Sequence, residues 1–329
     1  MTSPAPTELT AFAKSLISIA HTEIRLCYLE LLAVLRADPA VGEQLRGSGG
    51  YSPVQAGAEY YEMVTDTKQQ AARLMRNAIR RRYPSHTVIG EEVPGQRGAN
   101  GWTWSIDPLD GTSAMVRSAM RRAYGLPALR TDPAFGITVG LLHSDAAMLG
   151  AIGELLPRAD DLVLGRGWLG GRDTPVICNG IPIPAWPTWS VRHPDSAVLA
   201  CTAPKVMFAP GDQWDSFQAL AATAAEVVLD QNCLGYMGLL NGSIDVVYER
   251  GLPVAHAAAV VPILEGAGVV ATNQHGCPIS FEVAARGRKY VLLAARRPLH
   301  QRAVVLTSTS ASGADDRSGQ EESAPLGKK

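Results

Sequence analysis

Apolar positions recur every three or four residues between residues 8 and 45 (Phe12, Leu16, Ile19, Ala20, Ile24, Cys27, Leu31), which predicts an N-terminal helix. A Gly/Ser/Pro segment over residues 47–53 interrupts it. A second helix is expected over residues 67–82. Ala71, Leu74, Met75, Ala78 and Ile79 give it one apolar stripe, and Arg73, Arg76 and Arg80 fall on a solvated face. The period then drops to two. Residues 87–89 and 102–106 read as strands, the second ending at Asp107, with further strands at 135–142, 147–153 and 161–164. Residues 117–135 read as a basic, turn-rich loop.

From residue 198 the pattern alternates. Strands are expected at 198–201, 227–229, 244–248 and 269–272, with helices at 213–225, 233–240 and 256–267 between them. Such alternation predicts a mixed α/β layer architecture. The Pro-rich stretch 175–187 suggests a division into an α+β half, residues 1–192, and an α/β half, residues 193–307. The Ser-, Gly- and charge-rich residues 308–329 are expected to be a disordered tail.

Composition narrows the partners. With 46% hydrophobic and 19% charged residues and a net charge of −1, the chain offers no bulk attraction to nucleic acid or anionic membrane. No apolar run approaches the roughly 20 residues that span a bilayer. Residues 1–10 lack the basic-then-apolar pattern of a signal peptide. Cys27, Cys178, Cys201, Cys233 and Cys277 are odd in number and form no CxxC pair, so buried free thiols in a cytoplasmic protein are expected. A phosphorylated ligand would therefore need a local site.

Two acidic clusters, Glu91-Glu92 and Asp107 with Asp110, sit at the ends of successive predicted strands. Carboxylates gathered in this way repel unless a cation neutralises them, and an oxygen-only set favours Mg²⁺. Pro108 fixes the turn, Gly111 permits close backbone approach, and a helix start after Thr112 would offer amides to a phosphate. Taken alone, a DxxDG is more often a capped turn with solvated acids. The longer string Gly-Glu-Glu followed by Trp-Ser-Ile-Asp-Pro-Leu-Asp-Gly-Thr is far more specific.

That string resembles the first signature of the inositol-monophosphatase-like family. Val64-Thr65 followed by a helix, Asn232-Cys233-Leu234-Gly235-Tyr236, and Pro262-Ile263-Leu264-Glu265-Gly266-Ala267-Gly268 also resemble family segments, nearest to the histidinol-phosphate phosphatases. The resemblance covers residues 10–305 and implies a layered α-β-α-β-α sandwich. It implies that Glu91, Asp107 and the Leu109 carbonyl ligate one Mg²⁺, and that Asp107 and Asp110 bridge toward a second. Gly111 and Thr112 would hold the phosphate, with the Thr112 hydroxyl orienting the attacking water. Glu92 would orient rather than bind, while Asn232 would face substrate. The loop that carries Arg117 reads equally as a lid binding an anionic substrate or as a solvated basic loop. A homodimer is implied as well.

Two positions depart from the family pattern. Lys68 stands where the family has an Asp after Val-Thr, and His256 stands where it has an Asp ligand. Asp66 could replace the first only if its loop shifted. His256 could bind a metal as neutral imidazole, favouring Mn²⁺ or Zn²⁺, or act as acid or base. Lys68 could be an exposed helix residue, could pair with Glu91 or Asp107, or could touch the phosphate. Two functions stay open. One is a metal-dependent phosphomonoesterase acting on a small phosphorylated alcohol such as histidinol phosphate, a nucleotide, or a sugar or cyclitol phosphate. The other is a diverged relative that binds a phosphorylated ligand, or uses His256 and Lys68 for other acid–base chemistry in a specialised biosynthetic pathway.

Overall fold

Pro6 opens helix α1, which runs Pro6–Ala37 and buries Leu9, Ala13, Leu16, Ile17, Ala20, Ile24, Tyr28, Leu31 and Leu35, one stripe at helical spacing. The structure is a computed structural model, described for residues 5–38, 58–90, 93–96, 98, 100–126, 132–158, 160–172, 174–184, 196–281 and 288–309. Helix α2, Ala58–Arg82, starts nine residues before the predicted position, so Val64 and Thr65 lie inside it. Strands β1 (Thr87–Gly90), β2 (Val93–Gln96), β3 (Trp102–Asp110), β4 (Gly136–His143), β5 (Ala146–Arg158), β6 (Asp161–Gly171), β7 (Thr174–Cys178) and β8 (Ile181–Pro182) form one sheet in the order β2-β1-β3-β4-β5-β6-β7-β8. Its described pairings are antiparallel except β1 with β3.

A second sheet takes β9 (Val198–Cys201), β10 (Glu226–Leu229), β11 (Val246–Leu252), β12 (Val270–Thr272) and β13 (Tyr290–Ala295) in the order β10-β9-β11-β13-β12. Helix α3 (Thr112–Ala123) follows β3. Short helix α4 (Pro204–Met207) and α5 (Asp212–Ala221) follow β9. Helices α6 (Asn232–Asn241), α7 (Val254–Gly266) and α8 (Arg297–Thr309) complete the order. Helices α1 and α2 cover one face of the first sheet, and α6 and α7 lie between the sheets. Helices α5 and α8 pack together, with α8 on the second sheet, giving the expected α-β-α-β-α sandwich.

The middle layer positions the site. Helix α7 is apolar all round, as a helix buried between two sheets must be. It approaches the first sheet closely because Gly140 and Gly150 leave room: a Cβ on Gly150 would lie 1.9 Å from the Ala259 carbonyl oxygen, and one on Gly140 would lie 2.8 Å from the Ala258 carbonyl carbon. Alanines at 257–259 complete this thin seam. Pleating sorts β3 in the same way. Trp104 and Ile106 enter the α1-side core, and Ser105 and Asp107 alternate away from them.

Several expected boundaries shift. Strand β3 continues through Asp107 to Asp110, with an irregular register against β4 that accommodates Pro108. Arg117, Arg121 and Arg122 lie on α3 and not on a loop; Arg130 lies outside the described residues. Strands β5 and β6 run well past the predicted ends at 153 and 164. Part of the expected loop over 175–187 is strand, and α8 extends to Thr309. Residues 310–329 and the expected half boundary at 192 lie outside the described residues.

Candidate phosphate site at the end of the third strand

Asp107 is buried at the end of β3, opposite Thr138 of β4. Its Oδ1 accepts the Leu109 backbone N–H at 3.0 Å, and the Lys68 Nζ lies 3.1 Å from the same oxygen. Lys68 follows Val64 by four residues and precedes Ala72 by four, so helical geometry carries it onto the buried stripe of α2. The exposed-helix reading of Lys68 fails, since its side chain is 9% exposed. Asp66, two residues earlier, is exposed and cannot take its place.

Asp110 ends the strand. Its Oδ2 accepts the Cys233 backbone N–H at 2.6 Å and faces His256 Nδ1 at 3.4 Å. His256 is the third residue of α7 and is buried, with its ring edge-on to Tyr236 at 5.5 Å between centroids. Tyr236 in turn donates to Glu249 Oε2 at 2.8 Å, and Glu249 Oε1 accepts the Thr202 backbone N–H at 2.7 Å. Burial pulls the His256 pKa down, but Asp110, Glu249 and Asp107 outweigh it and push it up to about 9. Burial works against the Asp110 charge, yet His256 and the Cys233 N–H hold that carboxyl below its ordinary range. His256 Nε2 is buried and has no hydrogen-bond partner among the described residues.

Gly111 then turns the chain with φ of 95°, and no described side chain caps α3. A Cβ at Gly111 would lie 2.7 Å from Asn232 Nδ2 and 2.8 Å from Phe135 Cβ, so only glycine fits. Thr112 opens the helix, and its first amides are available to an anion. Asn232 is buried with φ of 49°, and its amide donates to the Ala134 carbonyl at 2.6 Å. Arg117 forms an ion pair with Asp230, tying α3 to the turn before α6. Glu91 and Glu92 lie outside the described residues.

The sequence pattern brought Asp107, Leu109, Asp110, Gly111, Thr112, Lys68 and His256 into consideration, and they gather here. Glu249 was not singled out, and Tyr236 entered only as the last residue of a family-like segment. A glutamate directly after the apolar run Val246-Val247-Tyr248 was the available signal, because an unpaired buried carboxylate is rare. A cavity of about 720 Å³ lies beside this site and not on it. Arg121, Arg122, Pro133, Leu155 and Met237 are among its lining residues, and none of the carboxylates above is.

The two-sheet sandwich is the fold of solved inositol monophosphatases. The Inositol monophosphatase family model matches residues 14–312, and the chain belongs to that family. It is 26% identical to a chloroplastic bifunctional phosphatase of Arabidopsis thaliana over 224 residues, 68% of this chain and 58% of that protein, so it spans less than two thirds of that relative. It is 25% identical to a histidinol-phosphatase of Chlorobaculum parvum over 229 residues, 70% of this chain and 75% of that one. An inositol monophosphatase from Zymomonas mobilis shares the fold with a TM-score of 0.65 and 22% identity, over 93% of this chain and 100% of that one.

The family is metal-dependent, generally using Mg²⁺. The residues here do not fit a pair of such ions on Asp107 and Asp110. One oxygen of each carboxylate already carries two donors, a backbone N–H together with Lys68 or His256. Among the described residues, no group of three or more His, Cys, Asp or Glu side chains gathers to hold a cation.

Proposed function

We propose that this chain is a phosphomonoesterase for a small phosphorylated alcohol, with the phosphoryl group seated at the start of α3. The carrying observation is the Gly111 turn. Its left-handed backbone directs the uncapped amides of Thr112 and Ser113 beside two strand-end carboxylates, in a space that admits no side chain at 111. The amides bind the phosphoryl oxygens and the Thr112 hydroxyl orients a water. Water oxygen bonds to phosphorus, the ester P–O bond breaks, and a proton ends on the departing alkoxide. Histidinol phosphate and inositol phosphates are the substrate classes drawn from the names of the relatives; nucleoside monophosphates and sugar phosphates stay among the candidates from the sequence reading. The free thiols suit a cytoplasmic setting.

Phosphate release from a panel of these esters, each with Mg²⁺, Mn²⁺, Zn²⁺ or chelator, tests the reading. At least one combination should turn over, and Gly111→Ala should abolish it. Silence across the whole panel would sink hydrolysis. A second reading, binding of a phosphorylated ligand without hydrolysis, draws on the Lys68–Asp107 and His256–Asp110 contacts. It would show as inorganic phosphate raising the melting temperature with no ester cleaved.

A further inference from the structure

The two strand-end carboxylates are answered by the protein itself. Asp107 meets an ammonium from α2, and Asp110 meets an imidazole from α7. Both partners come from buried positions, with Lys68 and His256 side chains 9% and 5% exposed, so neither can swing into solvent to make way. The backbone donors are fixed as well. The Leu109 N–H belongs to the bulged end of β3, and the Cys233 N–H to the first turn of α6. A divalent ion demands oxygen ligands at about 2.0–2.1 Å, and would have to share each carboxylate with the two donors already on it while approaching a lysine of its own sign.

We propose that Lys68 and His256 occupy, on Asp107 and Asp110, the places a pair of divalent cations would take. The chain then holds its phosphoryl ligand with protein donors alone, without Mg²⁺. This rests on the phosphomonoester reading above and sharpens it. Lys68 supplies a buried positive charge on Asp107, and His256 fixes the Asp110 carboxylate that leads into the turn. Asp107 and Asp110 become anchors that position the two donors.

The test uses the full chain stripped with chelator. Mn²⁺ titration followed by electron paramagnetic resonance should show no saturable site. Inorganic phosphate should raise the melting temperature equally in chelator and in Mg²⁺. Lys68→Gln should weaken phosphate binding by about tenfold, the loss of one charged hydrogen bond. The Lys68→Asp/His256→Asp double variant restores carboxylates at both positions. It should melt lower than the parent in chelator, and Mg²⁺ should raise its melting temperature while leaving the parent's unchanged.

Saturable Mn²⁺ or Zn²⁺ binding to the parent, lost in Asp107→Asn or His256→Ala, overturns the inference. So does a folded double variant indifferent to Mg²⁺. Should that variant not fold, the Mn²⁺ titration of the parent decides alone. A phosphate shift seen only with Mg²⁺ overturns this inference and leaves the phosphomonoester reading standing. No shift under either condition overturns both.

Discussion

The two ends of β3 each carry a buried histidine, and they treat it oppositely. Near the start, His86 Nδ1 accepts the Trp104 indole N–H at 3.0 Å, and its ring stacks with Tyr83 at 4.7 Å between centroids. Burial there lowers its pKa, and the ring is neutral. At the far end, His256 is equally buried, yet Asp110 and its neighbours push it up to about 9. Desolvation pulls both downward. Partner charge decides which wins, so burial by itself predicts neither charge nor role. One end is a neutral aromatic corner, and the other is a charged site.

The largest way to break that contrast is to unpair the charged end. Lys68→Met leaves Asp107 buried without its ammonium, and should cost about 3–5 kcal/mol in urea unfolding. Adding Asp107→Leu should recover most of it. A destabilisation below that of an ordinary surface substitution would show that the pair is not buried in solution.

Alkaline pH should act almost as strongly. His256 is raised from 6.5 to about 9 in the folded state, so its contribution is complete below 6.5 and lost as pH rises through 9. The loss should approach about 3 kcal/mol, from roughly 1.4 kcal/mol per pH unit. His256→Gln should flatten that slope.

At the neutral end, Trp104→Phe orphans His86 Nδ1 and should cost about 1–2 kcal/mol, read by chemical denaturation. The smallest effect is acid titration of His86. Its folded pKa is depressed, so stability present above 6.5 falls as pH drops through that lowered value. His86→Leu should remove this acid-side component and leave the alkaline slope intact. Loss of both slopes together would mean that the two ends are not independent.

Much of this was legible in the chain. Asp107-Pro108-Leu109-Asp110-Gly111-Thr112 announced a strand end and a glycine turn into a helix, and the structure has both. Glycine was harder to interpret. Gly153 reads as a strand stop, but β5 continues because a Cβ there would lie 2.6 Å from Ile17 Cγ2 and glycine lets α1 approach. Arg117, Arg121 and Arg122 disguised α3 as a loop, since their charge obscured the buried stripe Ala114, Met115, Ala119 and Met120. Lys68 could have been placed from its spacing to Val64 and Ala72. Its pairing with Asp107, 39 residues away on a strand, was one of three readings the sequence left open, because which helix face meets which strand end is a matter of tertiary packing.

The glycine–alanine seam beneath α7 has a heritable consequence. His256 reaches Asp110 only because Gly140 and Gly150 let its helix settle onto the sheet. A lineage drifting at either glycine would misplace the histidine without touching the site. Screens for variants that lose the His256–Asp110 contact should therefore recover Gly150→Ala alongside changes at the two partners, and a designer transplanting the Gly111 turn would have to carry those two glycines with it.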